Sequence, residues 1–452
     1  MFHYDDTICA PATSVGAGAV SIIRLSGPDA LKIADSVVCF KTGAARSSEG
    51  YTLKYGVIPD VDDVLVSIFR APQSYTGEDS VEIGCHASSF IVSRILELLV
   101  SAGARSAEPG EFTRRAFVNG KMDLAQAEAV ADVISAGSEA AHRVAINQLR
   151  GKYSTELKGL RDELIQLATL LELELDFSEE EVEFADRSRL RALLDEISAH
   201  VVRLCDSFRA GNAIKKGVPV AIVGAVNSGK STLLNALLGE DRAIVSDIPG
   251  TTRDTVEEVM VLDGVQYRFI DTAGIREASD TVEKIGIERS LKSLSQAEVV
   301  LGVLDGSASP EEAGRAAAQI SSHISPAQTL IMLFNKADLV SAVHAGFPVC
   351  DLKISAKNGE GLEELKKKIS AAYSLAAVSA DETLVTNIRH YEALSRARED
   401  LAHVRSGLDL GTPSDLLAED LRSAIRELGS IFGEIAPDEV LNRIFANFCI
   451  GK

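Results

Sequence analysis

The sequence is short of cationic charge. Lysine and arginine number 46 against 66 aspartates and glutamates, a formal net charge of −20. Polynucleotide affinity comes chiefly from cations that neutralise phosphates, so a chain this acidic is not expected to wrap nucleic acid unaided. Only a local basic patch or a basic partner leaves that route open. Cysteine is sparse too: Cys9, Cys39, Cys85, Cys205, Cys350 and Cys449 are scattered with no C-x-x-C pair, which argues against a disulfide framework and for reduced thiols. No apolar run reaches the ~18 residues of a membrane span, and the acidic opening MFHYDDT leads into no signal-peptide core. A cytoplasmic protein with no membrane association is the expectation. There is no convincing internal repeat, and the ending Cys449-Ile450-Gly451-Lys452 fits a prenylation signal poorly.

What is present suits a packed, multidomain protein: 452 residues, 46% hydrophobic and 25% charged, enough for roughly three domains. Short β-rich runs such as AVSIIRLSG and VLVSIFRAP, with the helix-like SFIVSRILELLVSAG, read as an α+β domain over 1–118. From about 121 the texture turns helical, and Leu157, Leu160, Leu164, Leu167 and Leu171 mark one apolar stripe, so 119–216 is the first part of a helical domain. The acidic cluster that follows (Glu172, Glu174, Asp176, Glu179, Glu180, Glu181 and Glu183) reads as a solvated helix end and loop. A joint, GNAIKKG (211–217), precedes alternating strands and helices over 217–375, the pattern of a mostly parallel, helix-covered sheet. Helix returns over 376–452, with Leu417, Leu421, Ile425 and Leu428 on one face. Helical sequence on both sides implies an α/β domain inserted into an all-α one.

The inserted block carries the chemistry. GAVNSGKS is G-x-x-x-x-G-K-S between an apolar strand and a helix, the context of a P-loop. Gly224 and Gly229 let the backbone N–H groups of Asn227, Ser228, Gly229, Lys230, Ser231 and Thr232 close on phosphate; Lys230 reaches the β/γ oxygens and Ser231 binds Mg2+. YRFIDTAGI ends a second strand in Asp271-Thr272-Ala273-Gly274, where Asp271 can hold the magnesium through water and Gly274 can meet the γ-phosphate. The loop Ser246-Asp247-Ile248-Pro249-Gly250-Thr251-Thr252 lies between them, and Thr252 is assigned to complete the Mg2+ shell. Asn335, Lys336 and Asp338 in NKAD identify the base: a buried Asp338 accepts from guanine N1–H and N2–H2, donors that adenine does not pair in this way. Ser355, Ala356 and Lys357 stand where GTPases place their last base-contacting loop. The ordered set points to GTP. Ile275 holds the place of the water-orienting glutamine of Ras-like GTPases, so another group must orient water, with Glu277, Asp280, Glu283 and Glu288 as candidates.

The chain resembles the MnmE (TrmE) family of bacterial tRNA-modification GTPases through DTICAPAT, IIRLSGP, SYTGEDSVEI, PGEFTRRAFVNGKMDLAQAEAVADVI, DIPGTTRD, DTAGIREASDTVEKIGIERS and FCIGK, besides GAVNSGKS and NKAD. The resemblance implies an N-terminal folate-binding and dimerisation domain, a helical domain and an inserted Ras-like G domain. It implies a homodimer whose G domains meet when GTP and K+ bind, with K+ held by Asn227, Ser246, Ile248 and Thr251. It selects Glu283 as the catalytic residue acting on water. It assigns a 5-formyl- or methylene-tetrahydrofolate to Arg24, Glu82, Lys121 and Lys452, and makes Cys449 a candidate functional thiol. It implies tRNA as substrate and an FAD-binding partner, MnmG, in a heterotetramer or larger assembly. The implied reaction forms 5-carboxymethylaminomethyl or aminomethyl uridine at the tRNA wobble position. Two departures stand out: His86-Ala87-Ser88 replaces the family's His-Gly-Gly, where added Cβ atoms are expected to alter the turn, and Ala225-Val226 replaces a polar-then-proline pair in the P-loop. The rival readings are an Era-like ribosome-assembly or signalling switch, for which no GXXG clamp is evident, and a stand-alone folate-dependent transferase that its G domain only regulates.

Overall fold

The computed structural model describes residues 5–14, 18–176, 187–239, 258–270, 294–326, 328–340, 345–372, 383–434, 437–446 and 448–451. The chain divides into two units, residues 1–131, 148–194 and 399–452 in one and residues 132–147 and 195–398 in the other.

The first unit opens with β1 (Ile8–Pro11), β2 (Val20–Ser26), α1 (Ala30–Val37), β3 (Cys39–Phe40), β4 (Thr52–Ile58), β5 (Asp62–Phe69), β6 (Ser80–His86), α2 (Ser89–Ser101), β7 (Arg105–Ser106) and α3 (Glu111–Val118). Their sheet has the order β3-β4-β5-β6-β2-β1-β7 and is antiparallel except where β1 meets β7. Alternation sorts its faces: Val64, Val66 and Ile68 of β5 are buried, packing with Leu31 and Ile33 of α1 and Ile95 and Leu99 of α2. On the other face Leu53, Tyr55 and Leu65 are 62%, 43% and 52% exposed.

Among the described residues four helices follow, α4 (Leu124–Ser135), α5 (Glu139–Leu149), α6 (Lys152–Asp176) and α7 (Arg187–Lys216). The leucine stripe lies where the spacing puts it: Leu157, Leu160, Leu164, Leu167 and Leu171 are all buried, and α6 packs on α12 (Ser414–Phe432). On α12 Leu417, Leu421 and Leu428 are buried, but Ala424 is buried in place of the half-buried Ile425. The acidic cluster begins in the last turn of α6; Glu179 to Glu183 lie outside the described residues. The expected joint at 211–217 is instead helical as far as Lys216, and the break falls at Gly217 with φ +88°. A Cβ at Gly211 would collide with the Val385 carbonyl, so this glycine serves a close approach of chain to helix and does not mark a break.

The second unit holds β8 (Val218–Gly224), α8 (Lys230–Leu238), β9 (Glu258–Leu262), β10 (Val265–Phe269), β11 (Val299–Asp305), α9 (Pro310–Ser321), β12 (Thr329–Asn335), β13 (Leu352–Lys353) and α10 (Leu362–Ala372). The sheet order is β13-β12-β11-β8-β10-β9, parallel except for the β10/β9 hairpin. The hairpin turns on Asp263-Gly264, with φ +48° and +76°, the two left-handed residues of a type I′ turn. Val218, Val220 and Ile222 of β8 pack with α8 and α10; Ala221 and Val223 pack on the other face with Ile320 of α9. Helices thus cover both faces of the parallel sheet, as the strand–helix alternation predicts. After α10 come α11 (Ile388–Leu410), α12 and α13 (Asp438–Phe445). Among the described residues no helix is long and apolar enough to cross a membrane.

Candidate functional site

Central strand β8 ends at Gly224, where a Cβ would strike the Val303 carbonyl, and six residues later α8 begins. Asn227 (φ +62°) and Gly229 (φ +95°) give the connecting loop its left-handed turns. Gly229 has no room for a side chain, because Asn335 Nδ2 stands where its Cβ would be. Lys230 Nζ donates to the carbonyls of Gly224 (3.0 Å) and Ala225 (2.8 Å), and burial pushes its pKa below the usual lysine value. An ammonium folded into its own glycine loop at a helix N-terminus is the arrangement that receives phosphate. Ser231 and Thr232 form the first turn of α8, and Ala225, Val226 and Asn227 are exposed while Ser228 is buried.

Asn335, buried at the end of β12, joins this loop to the next. Its Nδ2 donates to the Ser228 carbonyl (2.8 Å), and its Oδ1 accepts from the Ala356 N–H (3.0 Å). Asp338 accepts from Ser355 Oγ at 2.6 Å; that bond outweighs the opposing desolvation and holds its carboxyl below the usual range, as an acceptor. Asp338 is exposed rather than buried, because it stands on a single 3-10 turn, Ala337–Leu339, at the rim of the sheet. Lys357 is exposed, directly after buried Ser355 and Ala356 in sequence. Lys336, at φ +62°, pairs with Asp305 Oδ2 at 2.6 Å. Burial opposes ionisation of Asp305, yet the bonds from Lys336 and Ser307 more than offset it and keep the carboxyl below its usual pKa. Sequence reasoning missed Asp305; its signal was an aspartate closing the apolar strand VVLGVLD.

A polar cluster lies in the first unit. Arg24 on β2 and Glu82 on β6 are direct cross-strand partners, 2.8 Å apart. The Arg24 guanidinium lies 5.1 Å from the Tyr75 ring centroid and 5.6 Å from that of Phe112, and its Nη1 reaches the Gly451 carbonyl at 3.5 Å. A Cβ on Gly451 would collide with Pro11, and the Gly110 N–H donates to the Cys449 carbonyl at 3.4 Å, which fixes the chain's ending here. The Cys449 thiol is free and exposed. Lys121 Nζ donates to the Pro72 carbonyl at 2.9 Å, at the start of the loop that carries Tyr75. Beneath lies a network the sequence did not reveal: wholly buried Arg115 binds Asp6 (2.6 Å), Glu111 (3.1 Å) and Glu78 (3.2 Å), while Arg105 binds Glu111 (2.6 Å) and Asp6 (2.7 Å). The His86-Ala87-Ser88 departure is absorbed without a strained turn. None of the three has a positive φ, Ser88 caps α2 by its backbone at φ −75°, and the His86 ring meets Asp62 at 2.8 Å.

Ser246, Asp247, Ile248, Pro249, Gly250, Thr251, Thr252, Asp271, Thr272, Ala273, Gly274, Ile275, Glu283 and Lys452 lie outside the described residues.

Family models match along the chain, "GTP-binding protein TrmE N-terminus" over residues 7–121 and "MnmE helical domain" over residues 124–449. Curated relatives are the tRNA modification GTPases MnmE of Bacteroides fragilis, 50% identical, and of Flavobacterium johnsoniae, 48% identical, each match covering 99% of this chain and 99% of the relative. That of Porphyromonas gingivalis is 47% identical over 99% of this chain and 98% of its own. Among solved structures the G domain of the T. maritima FeoB iron transporter matches 34% of this chain and 98% of its own at 28% identity, with a TM-score of 0.25. The full-length relatives favour the tRNA-modification reading over the Era-like one. With family models matched over residues 7–121 and 124–449 and relatives about half identical along the full chain, this chain is a GTPase and belongs to the MnmE family of tRNA modification GTPases.

Proposed function

We propose that this chain is a K+-dependent GTPase that acts with the FAD-binding partner MnmG, in a heterotetramer or larger assembly. Together they form 5-carboxymethylaminomethyl or aminomethyl uridine at the tRNA wobble position. The one-carbon unit comes from a 5-formyl- or methylene-tetrahydrofolate. The observation that carries this reading is Asn335, which ties the phosphate loop at Ser228 to the base loop at Ala356 and so couples guanine recognition to phosphate binding. Nucleotide contacts fall to residues 227–232, 246–252 and 271–274 and to Asn335, Lys336, Asp338, Ser355, Ala356 and Lys357.

The donor set suits the cations. Ser231 follows the phosphate-binding lysine and, with Thr252, would hold Mg2+; Asn227, exposed at φ +62°, with Ser246, Ile248 and Thr251, would hold K+. Bound there, the cations neutralise charge that develops on the phosphates. Glu283 orients the attacking water in place of the amide that Ile275 lacks.

The N-terminal cluster suits a folate. A pterin's amino and amide groups match the Glu82 carboxylate, and the glutamate tail matches Arg24, Lys121 and Lys452. Arg24 is already set between two aromatic rings and beside the chain's ending, which brings Cys449 to the same region. The exposed apolar face of Leu53, Tyr55 and Leu65 supports a homodimer formed through these domains, since an isologous pair would cover it. The net charge of −20 fits a division of labour in which the flavoprotein supplies much of the tRNA-binding surface.

The test is reconstitution: the purified chain, the flavoprotein and unmodified tRNA are incubated with and without GTP, and the tRNA nucleosides are analysed by mass spectrometry. Modified wobble uridine should appear only with both proteins and GTP, and unchanged nucleosides in the complete mixture refute the proposal. GTP turnover should be faster in KCl than in NaCl, and equal rates remove the potassium role.

A further inference from the structure

We propose that Asp305, braced by Ser307, is a positioning residue that holds Lys336 as one wall of the base pocket, and so sets nucleotide affinity without reading which base is bound. β11 and β12 run parallel in a register that pairs Asp305 with Asn335, so the two strands deliver an acid and the first residue of the base loop side by side. The Gly306 N–H donates to the Asn335 carbonyl at 2.9 Å, which staples the two strand ends. A side chain at Gly306 would press on the Phe334 ring and on Asn335 O, at 2.5 and 2.6 Å. Both carboxylate oxygens of Asp305 are engaged. Oδ1 accepts from Ser307 N (2.9 Å) and Ser307 Oγ (2.6 Å), and Oδ2 accepts from Lys336 Nζ (2.6 Å).

Lys336 is therefore fixed at both ends. Its backbone is held left-handed next to Asn335, which is itself bonded to Ser228 and Ala356, and its ammonium is held by an acid on the neighbouring strand. A free lysine loses rotamer entropy when it covers a ligand, whereas one already pinned has little left to lose. The methylene stem between the anchors carries no donor or acceptor, so it can cover a planar face yet cannot distinguish one purine from another. Discrimination falls to Asp338, which faces the base edge through N1–H and N2–H2. This inference rests on the reading of Asn335 and Asp338 as the guanine-recognising loop.

The experiment titrates the full-length chain with GDP, IDP and XDP by calorimetry. Asp305→Asn should raise Kd for GDP and IDP by the same factor, roughly ten-fold, the worth of one charge-assisted hydrogen bond. The GDP/IDP ratio should stay as in the unsubstituted chain. Asp305→Glu, which restores the charge on a longer stem, should recover part of the loss. Lys336→Met should match Asp305→Asn, and the double variant should lose no more than either single one, because the acid acts through the lysine. Asp338→Asn is the control and should move preference from GDP to XDP; if it does not, the base-loop reading itself fails. With that control holding, normal affinity in Asp305→Asn, a changed GDP/IDP ratio, or additive losses in the double variant overturn the proposal. Should Asp305→Asn not fold, Ser307→Ala loosens the same carboxylate without touching its charge; it should weaken GDP and IDP equally and more mildly, and unaltered binding would refute the role.

Discussion

Replacing Asn335 by alanine removes both bonds that join the phosphate loop to the base loop. The side chain is 2% exposed and its partners, the Ser228 carbonyl and the Ala356 N–H, belong to residues 0% and 4% exposed. A neutral hydrogen bond contributes about 1 kcal/mol net, and a buried partner left unsatisfied costs ~1–3 kcal/mol, so two such losses come to about 3 kcal/mol. Both loops must be set before a nucleotide binds, and with ten-fold in affinity per ~1.4 kcal/mol the GDP affinity should fall on the order of a hundred-fold. Asn335→Asp keeps the acceptor for Ala356 but turns a second oxygen toward the Ser228 carbonyl, so it too should bind poorly. A fluorescent GDP analogue measures affinity, and thermal melts without nucleotide separate loss of binding from loss of fold. GDP affinity within about three-fold of the unsubstituted chain, with an unchanged melt, would refute the bridging role.

Gly229→Ala places a Cβ on Asn335 Nδ2 at φ +95°, a strain of ~1–3 kcal/mol before any clash. It should abolish GDP binding while helical circular dichroism persists, and normal binding contradicts the close approach. Burial raises the pKa of Asp6 and Glu111, but Arg105 and Arg115 more than offset it, so both titrate below their ordinary 3.8 and 4.5. The folded state therefore binds fewer protons than the unfolded one; the stabilisation is complete above the ordinary values and is lost as pH falls through the lowered ones. Urea midpoints should drop on acidification below about pH 4.5, and Glu111→Gln should lower the midpoint at pH 7 and flatten that limb; an unaltered midpoint contradicts the network's role. Leu65→Asp, on the exposed apolar face, should convert a dimer to monomers by light scattering, and an unchanged mass removes that face as the contact.

Much of this was legible because it is local. The P-loop needs glycines and a lysine in a fixed span between strand and helix, and the α6 stripe needs only a spacing of three and four; both lie where the spacing puts them. Long-range partners left no such mark. Arg115 meets Asp6 across 109 residues of sequence, and each alone reads as a solvated charge. Asp305 meets Lys336 only because parallel register sets β11 beside β12. The exposure of Asp338 and the helical course through Gly211 carry no local mark for a related reason: rim position and packing against a neighbouring carbonyl are tertiary facts that override composition.

The most direct measurement is calorimetric titration of the full-length chain with GDP and with ADP in the same magnesium buffer. A loop built to accept from guanine's donors should bind one GDP per chain and hold it at least roughly a thousand-fold more tightly than ADP. Equal affinities for the two nucleotides would contradict guanine recognition by Asn335 and Asp338.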